Sequence, residues 1–332
     1  MLCPSVSHFD FSSVTKSAED PSTALQGWSH LTSVTTTTVS EAGMLHLSKL
    51  PSLRFLQLEL PSTPMSVVTQ KFQHPVFCAL QELNVECSSL VLLDAFFERF
   101  SIAPKEICLD IIGGVDSARA LPPSLSRLSN GCVHDSLECM ELYIDDQPTD
   151  HVTSIRTAVL RPLFAFRNLR KLDFRAYQNY TLRWDDAVLL QMAKSWPLLE
   201  VLHLNRYDHS SRGVTPSAFI SLLQHCPCLI SVAIIVNWST IDECDVSPDA
   251  PHQGFAHKTL SEAFFGSPRI RHPTRIAAFI SAITPNLESI VTWDPQFGRG
   301  QQDSKKYITR WKCVCDLIKA FSWSVSRLGG WC

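Results

Sequence analysis

A segment of the form Leu-x-x-Leu-x-Leu recurs along the chain, and this repetition constrains the fold more than any other feature. It reads LRFLQL at Leu53–Leu58, LQELNV at Leu80–Val85, LECMEL at Leu137–Leu142 and LRKLDF at Leu169–Phe174. It returns as LEVLHL at Leu199–Leu204, LISVAI at Leu229–Ile234 and LESIVT at Leu287–Thr292, with weaker copies beginning at Leu31, Pro104 and Leu260. The middle apolar residues are Val34, Leu56, Leu83, Ile107, Met140, Leu172, Leu202, Val232, Ala263 and Ile290. These anchors fall about 28 residues apart on average, near the top of the roughly 20–29 residues of leucine-rich repeats. Their uneven spacing predicts inserted loops.

Each anchor sits in a short run of alternating apolar and polar residues, the pattern of a half-buried strand. Between anchors the period becomes helical. Trp184–Trp196 places Leu189, Met192, Ala193 and Trp196 on one face, and Pro197 follows. Thr215–Cys226 opens on a Thr cap with Pro at the first helical position and stops at Pro227. Thr274–Thr284, Ser88–Phe100 and Val152–Phe166 read as further helices. Strands joined by helices in one direction give a parallel sheet. The predicted fold is therefore an α/β leucine-rich-repeat solenoid of the ribonuclease-inhibitor-like kind, with parallel strands on the concave face and helices outside. A doubly wound sheet is the competing reading. The uniform helix–Pro–strand connection argues against it, and the 12 glycines form neither GxGxxG nor GxxxxGK[ST]. The asparagine ladder of regular repeats is nearly absent, since only Asn237 occupies its position, so the turns should be irregular. The expected organisation is a weakly structured segment over 1–30, an array of about ten units over 31–306, a capping helix over 307–322 and a tail over 323–332. Trp311, Val314, Leu317 and Ile318 would close the open end.

A net charge of −3 lacks the basic excess that nucleic-acid or membrane-surface binding needs. The N-terminus shows no basic stretch followed by an apolar one, so a cytoplasmic or nuclear location is expected, with the 12 cysteines acting mainly as small buried hydrophobes. No membrane partner, no cofactor and no metal is expected, and a monomer is. Cys226-Pro-Cys228 and Cys313-Val-Cys315 leave one residue between thiols, too few for a zinc pair. No Gly-x-Ser-x-Gly elbow, His-Glu-x-x-His or Cys/His nucleophile signature appears.

The stretches WDDAVLLQMAKSWPLLEVLHL (Trp184–Leu204) and TPSAFISLLQHCPCLISVAI (Thr215–Ile234) resemble the repeats of fungal F-box/leucine-rich-repeat proteins. SPRIRHPTRIAAFISAITPNLESIVTWD (Ser267–Asp294) and RWKCVCDLIKAF (Arg310–Phe321) are similar to the C-terminal end of the same group. The resemblance covers roughly Phe166–Phe321. It implies a substrate-receptor subunit of a cullin-type ubiquitin ligase, whose F-box binds the adaptor and whose repeats bind the substrate. No F-box opening is found in Met1–His30, so a cullin adaptor is expected only if an F-box exists upstream.

Residues between and just outside the leucines should face the concave surface. The earlier strands then display Phe55, Gln57, Glu59; Glu82, Asn84, Glu86; Glu106, Cys108, Asp110; and Cys139, Glu141, Tyr143, a face rich in carboxylates and without Lys or Arg. Later strands display Lys171, Asp173, Arg175; Val201, His203, Asn205; Ser231, Ala233, Ile235; and Ser289, Val291, Trp293. Loops after the strands add Tyr207 and Arg212, then Trp238. The candidate partner-binding set is Glu59, Glu82, Glu86, Asp110, Glu141, Tyr143, Arg175, His203, Tyr207, Arg212, Trp238 and Trp293. The expected function is a non-catalytic protein-binding scaffold with a basic, partly hydrophobic partner. Simple solvation of the strand face is the plainer reading, and an enzyme using the concave carboxylates, Asp110, Asp173 and His203 among them, is a further alternative.

Overall fold

The protein, seen here as a computed structural model, is described over residues 6–11, 21–61, 76–114, 117–146, 152–177, 180–205, 213–243, 254–293 and 304–328. It divides into two compact units. One comprises Met1–His151, Val159–Leu169 and Ala176–Gln178; the other comprises Val152–Ala158, Arg170–Arg175 and Asn179–Cys332.

The first unit carries strands β1 (His8–Phe11), β2 (Ser33–Thr36), β3 (Phe55–Glu59), β4 (Glu82–Cys87), β5 (Glu106–Ile112) and β6 (Cys139–Asp145). Each pairs parallel with the next in chain order. The register is set by the anchors: Phe9, Val34, Leu56, Leu83, Ile107 and Met140 stand in one row across the strands. From Val34 onward each is at most 1% exposed, and burying such a side chain is worth roughly 1.5–3 kcal/mol. β1 lies in the segment expected to be weakly structured. Its four residues HFDF carry no Leu-x-x-Leu-x-Leu, and pairing with β2 orders them.

Helices α1 (Ser22–Gln26), α2 (Glu41–Leu47), α3 (Leu90–Arg99) and α4 (Ser117–Gly131) belong to this unit. The Ser40 hydroxyl accepts from the Gly43 N–H and caps α2, and Ser89 caps α3. α4 was hidden in the sequence by Pro122 and Pro123, which lie inside it. Its place beside α3 is secured by Leu121, Leu125 and Leu128, all buried, and by Arg127, which reaches Asp94 and Glu98 of α3.

The second unit repeats the plan. Its strands are β7 (Thr153–Arg156), β8 (Lys171–Ala176), β9 (Tyr180–Arg183), β10 (Val201–Leu204), β11 (Ser231–Ala233), β12 (Glu262–Phe264) and β13 (Ser289–Val291). β8, β10, β11, β12 and β13 pair parallel in that order, with Leu172, Leu202, Val232, Ala263 and Ile290 in one row. β7 and β9 form a separate parallel pair. Helices α5 (Asp186–Ser195), α6 (Pro216–His225), α7 (Ser239–Glu243), α8 (Pro273–Ile283) and α9 (Ser304–Leu328) complete it. The helix expected over Val152–Phe166 is instead β7 followed by a 3-10 segment, Thr157–Ala165. Pro162 sits in the middle of that segment and has no N–H to give an α-helical ladder.

In both units the anchor row is packed under the helices; in the first the alternate residues stand on the open face, whereas in the second Asp173, His203, Ser231 and Ala233 on the opposite face are themselves at most 6% exposed. Each unit is a stretch of α/β leucine-rich repeat.

Candidate functional site

In the first unit the register brings three of the predicted carboxylates, Glu59, Glu86 and Asp110, into one row. Glu59 pairs with Glu86, Glu86 with Asp110, and Asp110 with Tyr143. Adjacent strands lie only about 4.8 Å apart. One step back, Glu82 stands opposite Glu106, and Gln57, Asn84, Cys108 and Glu141 form the row between. Among the described residues no Lys, Arg or His lies within ion-pairing distance of Glu59, Glu86 or Asp110.

A pocket of about 350 Å³ opens on this row, lined by Thr35, Gln57, Glu59, Asn84, Glu86 and Asp110 together with Cys108. Its electrostatics follow from the crowding. Partial burial pushes the Glu86 carboxyl up, and the charges of Glu59 and Asp110 push it further. Asp110 is raised by burial and then by Asp145. The Cys108 thiol is pushed up to about 12 by burial and by Glu141 and Asp110, so it stays protonated and unreactive at neutral pH. Tyr143 donates its phenolic O–H to Glu141, and Asn84 donates to Glu82 at 3.1 Å. The pocket is thus rich in acceptors, with the carboxylates of Glu59, Glu86 and Asp110 beside the amides of Gln57 and Asn84.

The second unit holds the remaining predicted strand residues, in a different arrangement. Arg175 makes a two-pronged contact with Asp173, Nε to Oδ1 at 3.0 Å and Nη2 to Oδ2 at 2.5 Å. Asp173 is 1% exposed. His203 stands opposite Asp173 in register, with Nδ1 3.5 Å from Oδ2, and its Nε2 lies 2.9 Å from the Ser231 hydroxyl. Burial alone would raise the Asp173 carboxyl, but the hydrogen bonds from His203 and Arg175 outweigh it and hold it at about 2.

Two expected contact residues are not at a surface. Trp238 is 1% exposed, packed edge-on against Phe265, Phe279, Trp311 and Phe219. Trp293 is 3% exposed. Its φ of +51° takes it out of the strand alternation, and its indole stacks on Tyr307 and donates to the Pro268 carbonyl. Both belong to the core. Tyr207 and Arg212 lie outside the described residues.

Sequence reasoning missed Thr35 at the pocket and the link from His203 through Ser231 to Glu262. The signal for Thr35 was available, since it follows the anchor Val34 and so points to the open face. The signal for Ser231 was weaker, because a serine at a strand position carries no chemistry until its neighbours are known.

Among the described residues no helix is long and apolar enough to cross a membrane. No protein-family model and no curated protein matches this sequence. Among solved structures the chain is similar to an internalin of Listeria monocytogenes, at 13% identity and a TM-score of 0.39 over 79% of this chain. It spans 61% of that structure's length.

Proposed function

We propose that this protein is a non-catalytic scaffold that binds another protein through the open sheet face of its first unit. The carrying observation is the in-register row Glu59–Glu86–Asp110 over its pocket. Like charges placed directly opposite one another destabilise a sheet, and two of these carboxyls are pushed up: Glu86 by burial and then by Glu59 and Asp110, and Asp110 by burial and then by Asp145. A cationic side chain from a partner would relieve that repulsion, so the partner is basic, with apolar contacts at the rim. Clustered charge of one sign also steers association and sets specificity. The pocket offers acceptors and a protonated thiol but no activated nucleophile, which supports binding over bond chemistry.

The test is affinity capture by the wild type and by Glu59→Gln/Glu86→Gln/Asp110→Asn, with each captured protein identified and its affinity measured across salt. Bound partners should be basic, and the variant should weaken them at least tenfold while flattening the salt dependence. Equal binding by the variant would remove the acidic face from the account.

A finer reading, carried by the likeness of Trp184–Leu204 and Thr215–Ile234 to fungal F-box repeat proteins, makes the bound protein a ubiquitin-ligase substrate. Co-purification of a cullin adaptor with the native gene product supports it, and consistent absence of one counts against it.

A further inference from the structure

The open face of the second unit carries a continuous polar chain that binding by the first unit does not use. It runs from Arg175 to Asp173 on β8, to His203 on β10, to Ser231 on β11 and to Glu262 on β12. The steps are the Arg175–Asp173 fork, the 3.5 Å approach of His203 Nδ1 to Asp173, the 2.9 Å contact of His203 Nε2 with Ser231 Oγ, and Ser231 Oγ to Glu262 Oε2 at 3.2 Å. Asp173, His203 and Ser231 are 1%, 6% and 6% exposed, and Glu262 is exposed at the far end.

The order Asp–His–Ser invites comparison with a nucleophilic triad, but the surroundings do not make one. The serine is buried, its second partner is a carboxylate, and the nearby strand N–H groups are committed to the sheet. Ser231 N–H donates to the Glu200 carbonyl and Glu262 N–H to that of Ile230. Neither of these N–H groups is left to hold an oxyanion.

The hydrogen count gives the chain a different property. Ser231 has one hydroxyl proton and two acceptor-capable neighbours. When His203 carries both ring protons, Nδ1–H serves Asp173, Nε2–H serves the Ser231 oxygen, and the Ser231 proton is free to serve Glu262. When Nε2 loses its proton to solvent, it becomes an acceptor. The Ser231 hydroxyl then turns to it, and Glu262 is left without its donor.

We propose that this chain is a proton-linked switch, in which deprotonation of His203 reverses the Ser231 hydroxyl and releases the exposed Glu262 carboxylate for other contacts. Among the described residues, the groups facing His203 include Asp173 with Arg175 and the neighbouring Lys171 on β8, Glu262 reached through Ser231 on β12, and the Phe264 ring, edge-on at 5.9 Å. Histidine is the side chain whose ordinary titration falls between roughly pH 5 and 8. With His203 singly protonated, the Glu262 carboxylate at the edge of this face is left without its Ser231 donor.

The test is an NMR titration of the isotope-labelled full chain. The His203 ring signals are assigned by their loss in His203→Gln, and folding of each variant is checked from its amide spectrum. In the wild type the Glu262 carboxyl carbon should show a step at the same pH as the His203 ring. Glu262→Gln, an exposed and mild change, should lower the His203 midpoint by several tenths of a pH unit, and Ser231→Ala should erase the Glu262 step while His203 still titrates. A merely structural hydrogen bond would leave the two titrations uncoupled. Independent midpoints for His203 and Glu262, or a His203 that keeps one protonation state across that range, overturns the proposal. Neither result bears on partner binding by the first unit.

Discussion

At the residue scale the informative feature is how differently the two units treat their carboxylates. Asp173 is buried yet held at about 2, below its ordinary 3.8. A carboxyl depressed on folding contributes stability that is present above its unfolded value and is lost as pH falls through its folded one. That window runs from near 3.8 down to about 2, and the contribution is on the order of 2 kcal/mol. Asp173→Asn should therefore destabilise the protein clearly at neutral pH, and the difference from wild type should shrink steadily in urea titrations taken through that acid window. A difference independent of pH would mean that the aspartate matters only for its shape. Glu86 and Asp110 show the opposite sign. Their raised values mean that ionisation works against folding.

The sequence made the carboxylate row legible because alternation and register are both written in the leucine pattern. Within each unit the anchors stack against their neighbours as the spacing predicts, from Val34 to Met140 in the first and from Leu172 to Ile290 in the second. The face assignment of Glu59, Glu86 and Asp110 follows from that alone. Trp293 was illegible because its backbone leaves the strand region, and Trp238 because burial of a loop residue depends on a distant helix.

At the scale of elements, helix ends were easier to read than helix interiors. Asp185, Thr215 and Ser89 cap α5, α6 and α3 through their own side chains, whereas the Pro122–Pro123 pair concealed α4. The Thr215 cap has a second duty. Its hydroxyl accepts from the Ala218 N–H and donates to Asp186 at 2.6 Å, while the Thr215 N–H also reaches Asp186 at 3.0 Å. The start of α6 is thereby tied to the first turn of α5, and adjacent repeats are locked through one carboxylate. Thr215→Ala removes the cap and half of the tie, and should cost about 1–2 kcal/mol in chemical denaturation. Thr215→Ser keeps both hydroxyl contacts and should restore most of it. A serine variant as weak as alanine would show that the methyl group, and not the hydrogen bonds, carries the effect.

At the scale of the whole molecule, a repeat array has nearest-neighbour energetics, so damage should stay near its origin. The C-terminal helix α9 offers a clear place to ask this. It covers the last strands with Trp311, Val314 and Ile318, at most 5% exposed, while Leu317 is only half-buried. Trp311 joins the ring cluster of Trp238 and Phe265 and donates its indole N–H to the Pro268 carbonyl that Trp293 also uses. Trp311→Ala removes a fully enclosed ring and leaves a cavity, a change that costs about 3–5 kcal/mol where the walls cannot collapse. Here the walls are themselves rings held edge to edge, so little relaxation is expected. Hydrogen exchange should then show protection lost in α8, α9, β12 and β13, with the β3–β5 amides keeping wild-type rates. Uniform loss across all strands would mean that the chain unfolds as one cooperative block, and a tryptophan at its end would then control the acidic row near its beginning.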